Sequence, residues 1–190
     1  PRGQRFRHAL GFGSNFGDEL VPMLDRLAQI TLLDASEQFV VNQLRGVPVR
    51  HLMARADGRI ALPDASVDLI TCFGVLHHIP NVSAVLRELA RVLAPGGWLL
   101  LREPTTTLGD WRQPRAGLTA RERGIPPAWL VARIEAAGLR VGRVSDCYFP
   151  PWVRLCLACG LLPFKHHATT WVDALLSRLT RSRHRYHRSN

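Results

Sequence analysis

The first residues whose types and spacing could do chemistry are Gly11-Phe12-Gly13-Ser14-Asn15-Phe16-Gly17. They stand between a short apolar run, Ala9 to Gly13, and an amphipathic stretch, Asp18 to Ala28. Glycines at such a junction let a ligand approach the backbone, and the start of a helix presents unpaired N–H groups to an anion. The next apolar run, Ile30 to Leu33, ends in Asp34, whose carboxylate can accept both hydroxyls of a ribose. Loop and acid together fit an adenosine cofactor without separating a dinucleotide from other adenosine carriers. A tight turn beside a solvated acid would be written with the same letters. Cys156 and Cys159 form one C-x-x-C, but His166 and His167 are adjacent and make a poor second pair for zinc. The cysteines read as small apolar side chains, and no metal site and no disulfide framework are expected.

The elements that must position these residues alternate. Ala9 to Gly13, Ile30 to Leu33, Val49 to Ala54, Val67 to Phe73, Trp98 to Leu101 and, more weakly, Val141 to Phe149 read as strands. Between them, Asp18 to Ala28, Ser36 to Leu44, the stretch capped by Asn81 and Pro127 to Ala137 read as helices. Val82, Val85, Leu86, Leu89, Ala90 and Leu93 share one helical face, and Ala94-Pro95-Gly96-Gly97 stops that helix. Strands alternating with helices specify an α/β fold: a doubly wound, mainly parallel sheet covered on both faces. Such sheets bind ligands at the carboxyl ends of their strands. The places to look are therefore residues 11 to 17, Asp34, Asp57, Cys72 to His78 and Glu103 onward.

Composition narrows the class. The 190 residues are 46% hydrophobic and 21% charged, enough apolar residue to build a core and too much for wholesale disorder. No apolar run approaches the roughly 20 residues of a membrane-spanning helix. The net charge is +10, from 24 Arg and the single Lys165 against 15 acids, and half of it lies in residues 178–190, with five Arg and no acid. That tail reads as a solvated terminus or as contact with an anionic surface, a membrane first. Nucleic acid is a poor fit, since no clustered aromatics interleave a basic stripe.

The middle of the chain decides between cofactors. Ala56-Asp57-Gly58, Pro63-Asp64-Ala65-Ser66-Val67-Asp68-Leu69-Ile70, Val75-Leu76-His77-His78-Ile79-Pro80 and Leu86-Arg87-Glu88-Leu89-Ala90-Arg91-Val92-Leu93-Ala94-Pro95-Gly96-Gly97 occur in this order. Together they resemble class I S-adenosylmethionine-dependent methyltransferases, in the type 11 branch with the ubiquinone and menaquinone methyltransferases. The resemblance covers roughly residues 8 to 149. It implies a Rossmann-like sheet of up to seven strands, the last antiparallel, in a domain spanning 1–150, with an apolar then basic extension over 151–190. It implies S-adenosylmethionine as cofactor. Gly11, Gly13 and Asn15 would face its methionine part and Asp34 its ribose, with Ala35 beside the adenine. Asp57 would receive the adenine amino group, with Ala56 and Gly58 adding backbone contacts. Cys72, Phe73 and Gly74 would line the cleft, and His77 would open toward the transferred methyl as a catalytic residue.

The chain departs from that family at two places. Ala9 stands where the family usually carries an acid, and Asn15 replaces the third glycine. It also opens on Pro1, and the helices that family members carry ahead of the first strand are expected to be missing. Displacement at a sulfonium needs mainly positioning, and a base only where the acceptor arrives protonated; His77 and His78 are the candidates. No Asn-Pro-Pro-Tyr-like motif follows the fourth strand, which leaves O, C or S acceptors. Trp111, Arg112 and Arg115 sit where the family meets its acceptor, as an aromatic platform and two anion-binding guanidinia. The expectation is a bacterial, cytoplasmic methyltransferase of a small molecule, glycan or lipid-linked acceptor, with membrane contact through its basic tail as the alternative to a solvated terminus. A non-catalytic cofactor-binding or assembly module is the rival. A nicotinamide oxidoreductase would share the glycine loop and Asp34 but leaves the blocks from Asp57 to Gly97 unexplained.

Overall fold

Val67–Phe73 is buried at five of its seven positions, and a strand with both faces covered belongs at the centre of a sheet packed on two sides. The computed structural model describes residues 3–104, 113–116, 118–119, 122–162 and 167–180. They fall into two units, Pro1–Arg140 and Val141–Asn190.

Among the described residues, the first unit holds six strands: β1 (Ala9–Phe12), β2 (Ile30–Asp34), β3 (Gln43–Leu44), β4 (Val47–Met53), β5 (Val67–Phe73) and β6 (Leu93–Arg102). Their spatial order is β3-β4-β2-β1-β5-β6. All neighbours are parallel except β3, which runs antiparallel to β4. The chain therefore steps outward from β1 to β2 and β4, then returns to lay β5 on the other side of β1. That reversal between β1 and β5 opens a crevice at the carboxyl ends of both strands.

Side-chain alternation along the strands builds two cores. Leu10, Phe12, Ile70 and Cys72 face α1 (Val82–Val92), which contributes Val85, Leu86, Leu89 and Val92, while Leu130 and Ile134 of α2 (Pro127–Ala136) pack on the same cluster. Ala9, Leu32 and Leu69 face the other way, against Phe6, Leu20 and Leu27. The Asn81 side chain accepts from Ala84 N at 3.1 Å and starts α1 as expected. Arg91 ties α1 to the preceding loop. Its guanidinium donates to Ile60 O, Leu62 O, Asp64 and Glu88, and Glu88 accepts from Ile60 N.

Four elements differ from expectation. Asp18–Arg26 is a 3-10 helix, with Pro22 removing a donor inside it. Ser36 to Leu44 is not a helix: a single 3-10 turn, Glu37–Phe39, precedes the β3–β4 hairpin. Arg45 and Gly46 turn that hairpin, both at positive φ (49° and 84°), the geometry of a two-residue type I′ turn. β6 begins at Leu93 rather than Trp98, because Leu93 pairs with Val67 before an irregularity. Val141 to Phe149 forms no strand. Gly142 breaks its apolar alternation, and Val144 is 53% exposed. Among the described residues the sheet thus has six strands, and its antiparallel member is β3, not the last.

In the second unit, α3 (Pro150–Ala158) and α4 (His167–Thr180) pack together. Asp173, 1% exposed, accepts from Tyr148 N and Phe149 N at 2.7 Å, and Trp152 Nε1 donates to Thr169 O. Among the described residues, no helix is long and apolar enough to cross a membrane.

Candidate active site

The carboxyl ends of β1, β2, β5 and β6 bring most of the expected residues together. After β1 the chain turns back sharply. Gly13 lies at φ 64°, and a Cβ there would stand 2.6 Å from both Val75 methyls. A Cβ on Gly11 would overlap the Ser14 side chain and Leu32. Gly13 is therefore required by contact with the loop after β5, and Gly11 by its own turn's Ser14 and by Leu32 of β2. Asn15 occupies the left-handed region at φ 49°, which asparagine tolerates better than most residues. Its N–H donates to Asp34 Oδ2 at 3.1 Å, and Ser36 N donates to Asp34 Oδ1 at 3.2 Å. Asp34 is buried at the end of β2. A carboxylate accepts about four hydrogen bonds, so acceptor capacity remains beyond these two. Ala35 beside it is exposed.

Asp57 follows β4 in an exposed turn with Ala56 and Gly58. Arg55 grips its carboxylate through Nε and Nη2, the latter at 2.9 Å, and Arg59 N donates at 3.0 Å. These hydrogen bonds, Arg55 first, hold its carboxyl down to about 2. At the end of β5, Cys72 points into the core with no exposure, and burial pushes its thiol well above the usual range. What Cys72 offers the crevice is backbone. Arg102 lies over the Phe73 ring, 5.2 Å from its centroid. Gly74 N bonds Arg102 O at 2.7 Å, tying the β5 loop to β6.

Glu103, which directly follows β6, organises the far side. Its side chain is 1% exposed. It accepts from Val75 N (2.9 Å), Leu76 N (2.8 Å) and His77 N (3.2 Å), and its Oε2 lies 2.7 Å from His77 Nδ1. Sequence reasoning pointed to the region from Glu103 onward but gave the residue no role; the available signal was an acid at a strand's carboxyl end. His77 is 7% exposed. Its Nε2 faces Glu122 Oε1 at 3.7 Å, and His78 Nδ1 lies 3.9 Å from Glu122 Oε2. The two ring centroids lie 4.0 Å apart, with the rings tilted by 39°. Burial and the adjacent His77 lower the His78 pKa, while Thr119 N–H lowers that of Glu122. One ligand atom from each of His77, His78 and Glu122 lies within 4.8 Å of the others, and a divalent transition ion accepts such imidazole and carboxylate donors.

The family model for a methyltransferase domain matches residues 10–101, the span that carries the loop, Asp34, Asp57 and both histidines. The chain carries a methyltransferase domain. It is 30% identical over 141 residues to a "Ubiquinone biosynthesis O-methyltransferase" of Xanthomonas euvesicatoria, covering 66% of this chain and 59% of that protein. It is 28% identical over 172 residues to the protein of the same name in Xylella fastidiosa, covering 80% and 66%. The chain thus spans less than two thirds of either relative. A solved "SAM dependent methyltransferase" from Aquifex aeolicus superimposes with a TM-score of 0.54 at 25% identity, over 75% of this chain and 77% of that one.

The cofactor of the methyltransferase domain is S-adenosylmethionine. The residues present fit it. Asp34 keeps acceptor capacity beside the glycine turn, and Ser14 Oγ in that turn is buried with no hydrogen-bond partner among the described residues. Of the expected acceptor-binding residues, Trp111 and Arg112 lie outside the described residues. Arg115 holds backbone: its Nη2 donates to Thr119 O at 3.3 Å and, more closely, to Glu122 O. It thereby braces the segment that faces His77.

Proposed function

We propose that this chain methylates a hydroxyl oxygen of a small-molecule, glycan or lipid-linked acceptor, with His77 as the base. The observation that carries this is the 2.7 Å contact between His77 Nδ1 and the buried Glu103 carboxylate. A carboxylate there holds the proton on Nδ1 and leaves the Nε2 lone pair free to take one, the tautomer a general base needs. As the acceptor O–H breaks, its proton passes to Nε2 and the oxygen pair forms the new O–CH3 bond. Glu103 then stabilises the imidazolium. S-adenosylmethionine supplies the methyl on a sulfonium, whose C–S pair returns to sulfur. Gly11, Gly13 and Asn15 would face its methionine part, and Asp34 its ribose. Asp57, Ala56 and Gly58 would hold the adenine beside Ala35, and Phe73, Gly74 and the Cys72 backbone would line the cleft. The names of the two bacterial relatives, O-methyltransferases of ubiquinone biosynthesis, favour oxygen over carbon or sulfur and an acceptor with an apolar tail.

An acceptor of that kind suits an enzyme working from the cytoplasm at a membrane surface. Leu155, Leu157, Leu162, Trp171 and Leu179 of the second unit are exposed, and the sequence ends in an Arg-rich run without acids. Apolar side chains beside clustered Arg bind anionic bilayers. Sedimentation with phosphatidylglycerol vesicles, lost on deleting 178–190, tests this contact; equal sedimentation of both forms refutes it.

The first test of function is calorimetric titration with S-adenosylmethionine, S-adenosylhomocysteine and NADH, followed by transfer of labelled methyl to catechol as probe acceptor. Micromolar binding of the first two, none of NADH, and labelled catechol are expected. Binding without transfer to catechol or to any hydroxylated acceptor would leave a non-catalytic cofactor-binding module instead.

A further inference from the structure

Asp34 ends β2, Glu103 follows β6 and Glu19 lies on the 3-10 helix after β1, and the partners of these three carboxylates differ. Asp34 accepts from two backbone N–H groups, and Glu103 from three plus a histidine. The partner of Glu19 is a single neutral hydroxyl: Thr71 Oγ1 donates to its Oε1 at 3.1 Å. Among the described residues no Lys, Arg or His pairs with it. Thr71 is 2% exposed and lies directly opposite Gly11 in the β1–β5 ladder. Glu19 therefore sits at the strand reversal, against the pair of residues on which the glycine loop rests. In the turn that follows β1, Ser14 Oγ lies beside Gly11, buried and with no hydrogen-bond partner among the described residues. β1 itself brings no anion to this place, since Ala9, Leu10, Gly11 and Phe12 carry no acid.

A half-buried carboxylate with one neutral partner gains from a cation, and a charge-assisted hydrogen bond is about twice as strong as a neutral one. S-adenosylmethionine carries one ammonium, on its methionine arm. We propose that Glu19, oriented by Thr71, receives that ammonium and so supplies from the first turn of the 3-10 helix the acid that β1 lacks. The assignment rests on the reading that the glycine loop faces the methionine arm. It predicts discrimination by charge: ligands with the ammonium depend on Glu19, and ligands without it do not.

The test compares calorimetric affinities of wild type, Glu19→Gln and Thr71→Val for four ligands. S-adenosylmethionine, S-adenosylhomocysteine and decarboxylated S-adenosylmethionine keep the ammonium; 5′-methylthioadenosine lacks it. Glu19→Gln is expected to weaken the first three by about ten- to a hundredfold and to leave 5′-methylthioadenosine unchanged. Thr71→Val should reproduce the pattern at a few-fold. Equal weakening of all four would mean that Glu19 only shapes the loop, and no weakening would remove it from the site; either overturns the proposal while leaving the cofactor assignment standing. Failure of wild type to bind any of the four would overturn both.

Discussion

Glu103 and His77 meet at 2.7 Å across the ends of two neighbouring strands, both side chains almost fully buried. The same carboxylate caps three backbone N–H groups of the turn that carries the histidine. One residue thus fixes both where the imidazole stands and which nitrogen carries its proton.

His77→Gln is expected to lower kcat for catechol methylation by about 100-fold while the affinity for S-adenosylhomocysteine stays within twofold. Glu103→Gln should lower kcat as well and cost about 2 kcal/mol of unfolding free energy, because the turn loses its charged acceptor. Steady-state kinetics with calorimetry and urea unfolding measure both. An unchanged kcat in His77→Gln would remove it as the base.

A zinc ion placed between His77, His78 and Glu122 would occupy the Nε2 lone pair. Micromolar Zn2+ is therefore expected to inhibit methyl transfer, and EDTA to restore it. Stimulation by the metal would instead give the ion the role assigned here to the imidazole.

Asp34→Ala removes the acceptor at the end of β2 and the anchor of Asn15 N–H. Calorimetry should show S-adenosylhomocysteine affinity reduced by about tenfold or more. Full affinity in this variant would put the ribose elsewhere.

Arg91 satisfies two backbone carbonyls and two carboxylates from a largely buried position. Arg91→Ala should destabilise the first unit by about 2–3 kcal/mol, read by urea unfolding. A loss below half of that would mean solvent replaces the guanidinium at little cost.

Asp57 is held at about 2 in the fold against an ordinary 3.8, chiefly by Arg55. A depressed carboxyl contributes stability that is complete above its ordinary value and is lost as pH falls toward 2. Carbon-13 titration of the Asp57 carboxyl should show this midpoint, and Arg55→Ala should return it toward 3.8. A wild-type midpoint already near 3.8 would mean that the pair is open in solution.

Local chemistry was legible in the sequence. The bounds of β5, the Asn81 cap and the glycine loop followed from residues within a few positions of one another. The β3–β4 hairpin was not, because apolar residues from Phe39 to Leu44 fit helical spacing and Arg45 is an unusual first residue for a type I′ turn. Nor was the Glu103–His77 contact, since its partners lie 26 positions apart and meet only when β6 pairs with β5. Arg55 was two residues from Asp57, yet only the fold shows its side chain turning back onto that carboxylate.

The close approach of Gly13 to Val75 constrains the order in which this cleft can evolve. Any larger residue at position 13 meets both the Val75 methyls and a left-handed backbone. An accessible path must first shorten residue 75 and then admit asparagine, one of the few side chains that tolerates that conformation. The reverse order passes through an intermediate whose loops no longer close. Positions 13 and 75 should therefore change together among descendants of this chain, or not at all.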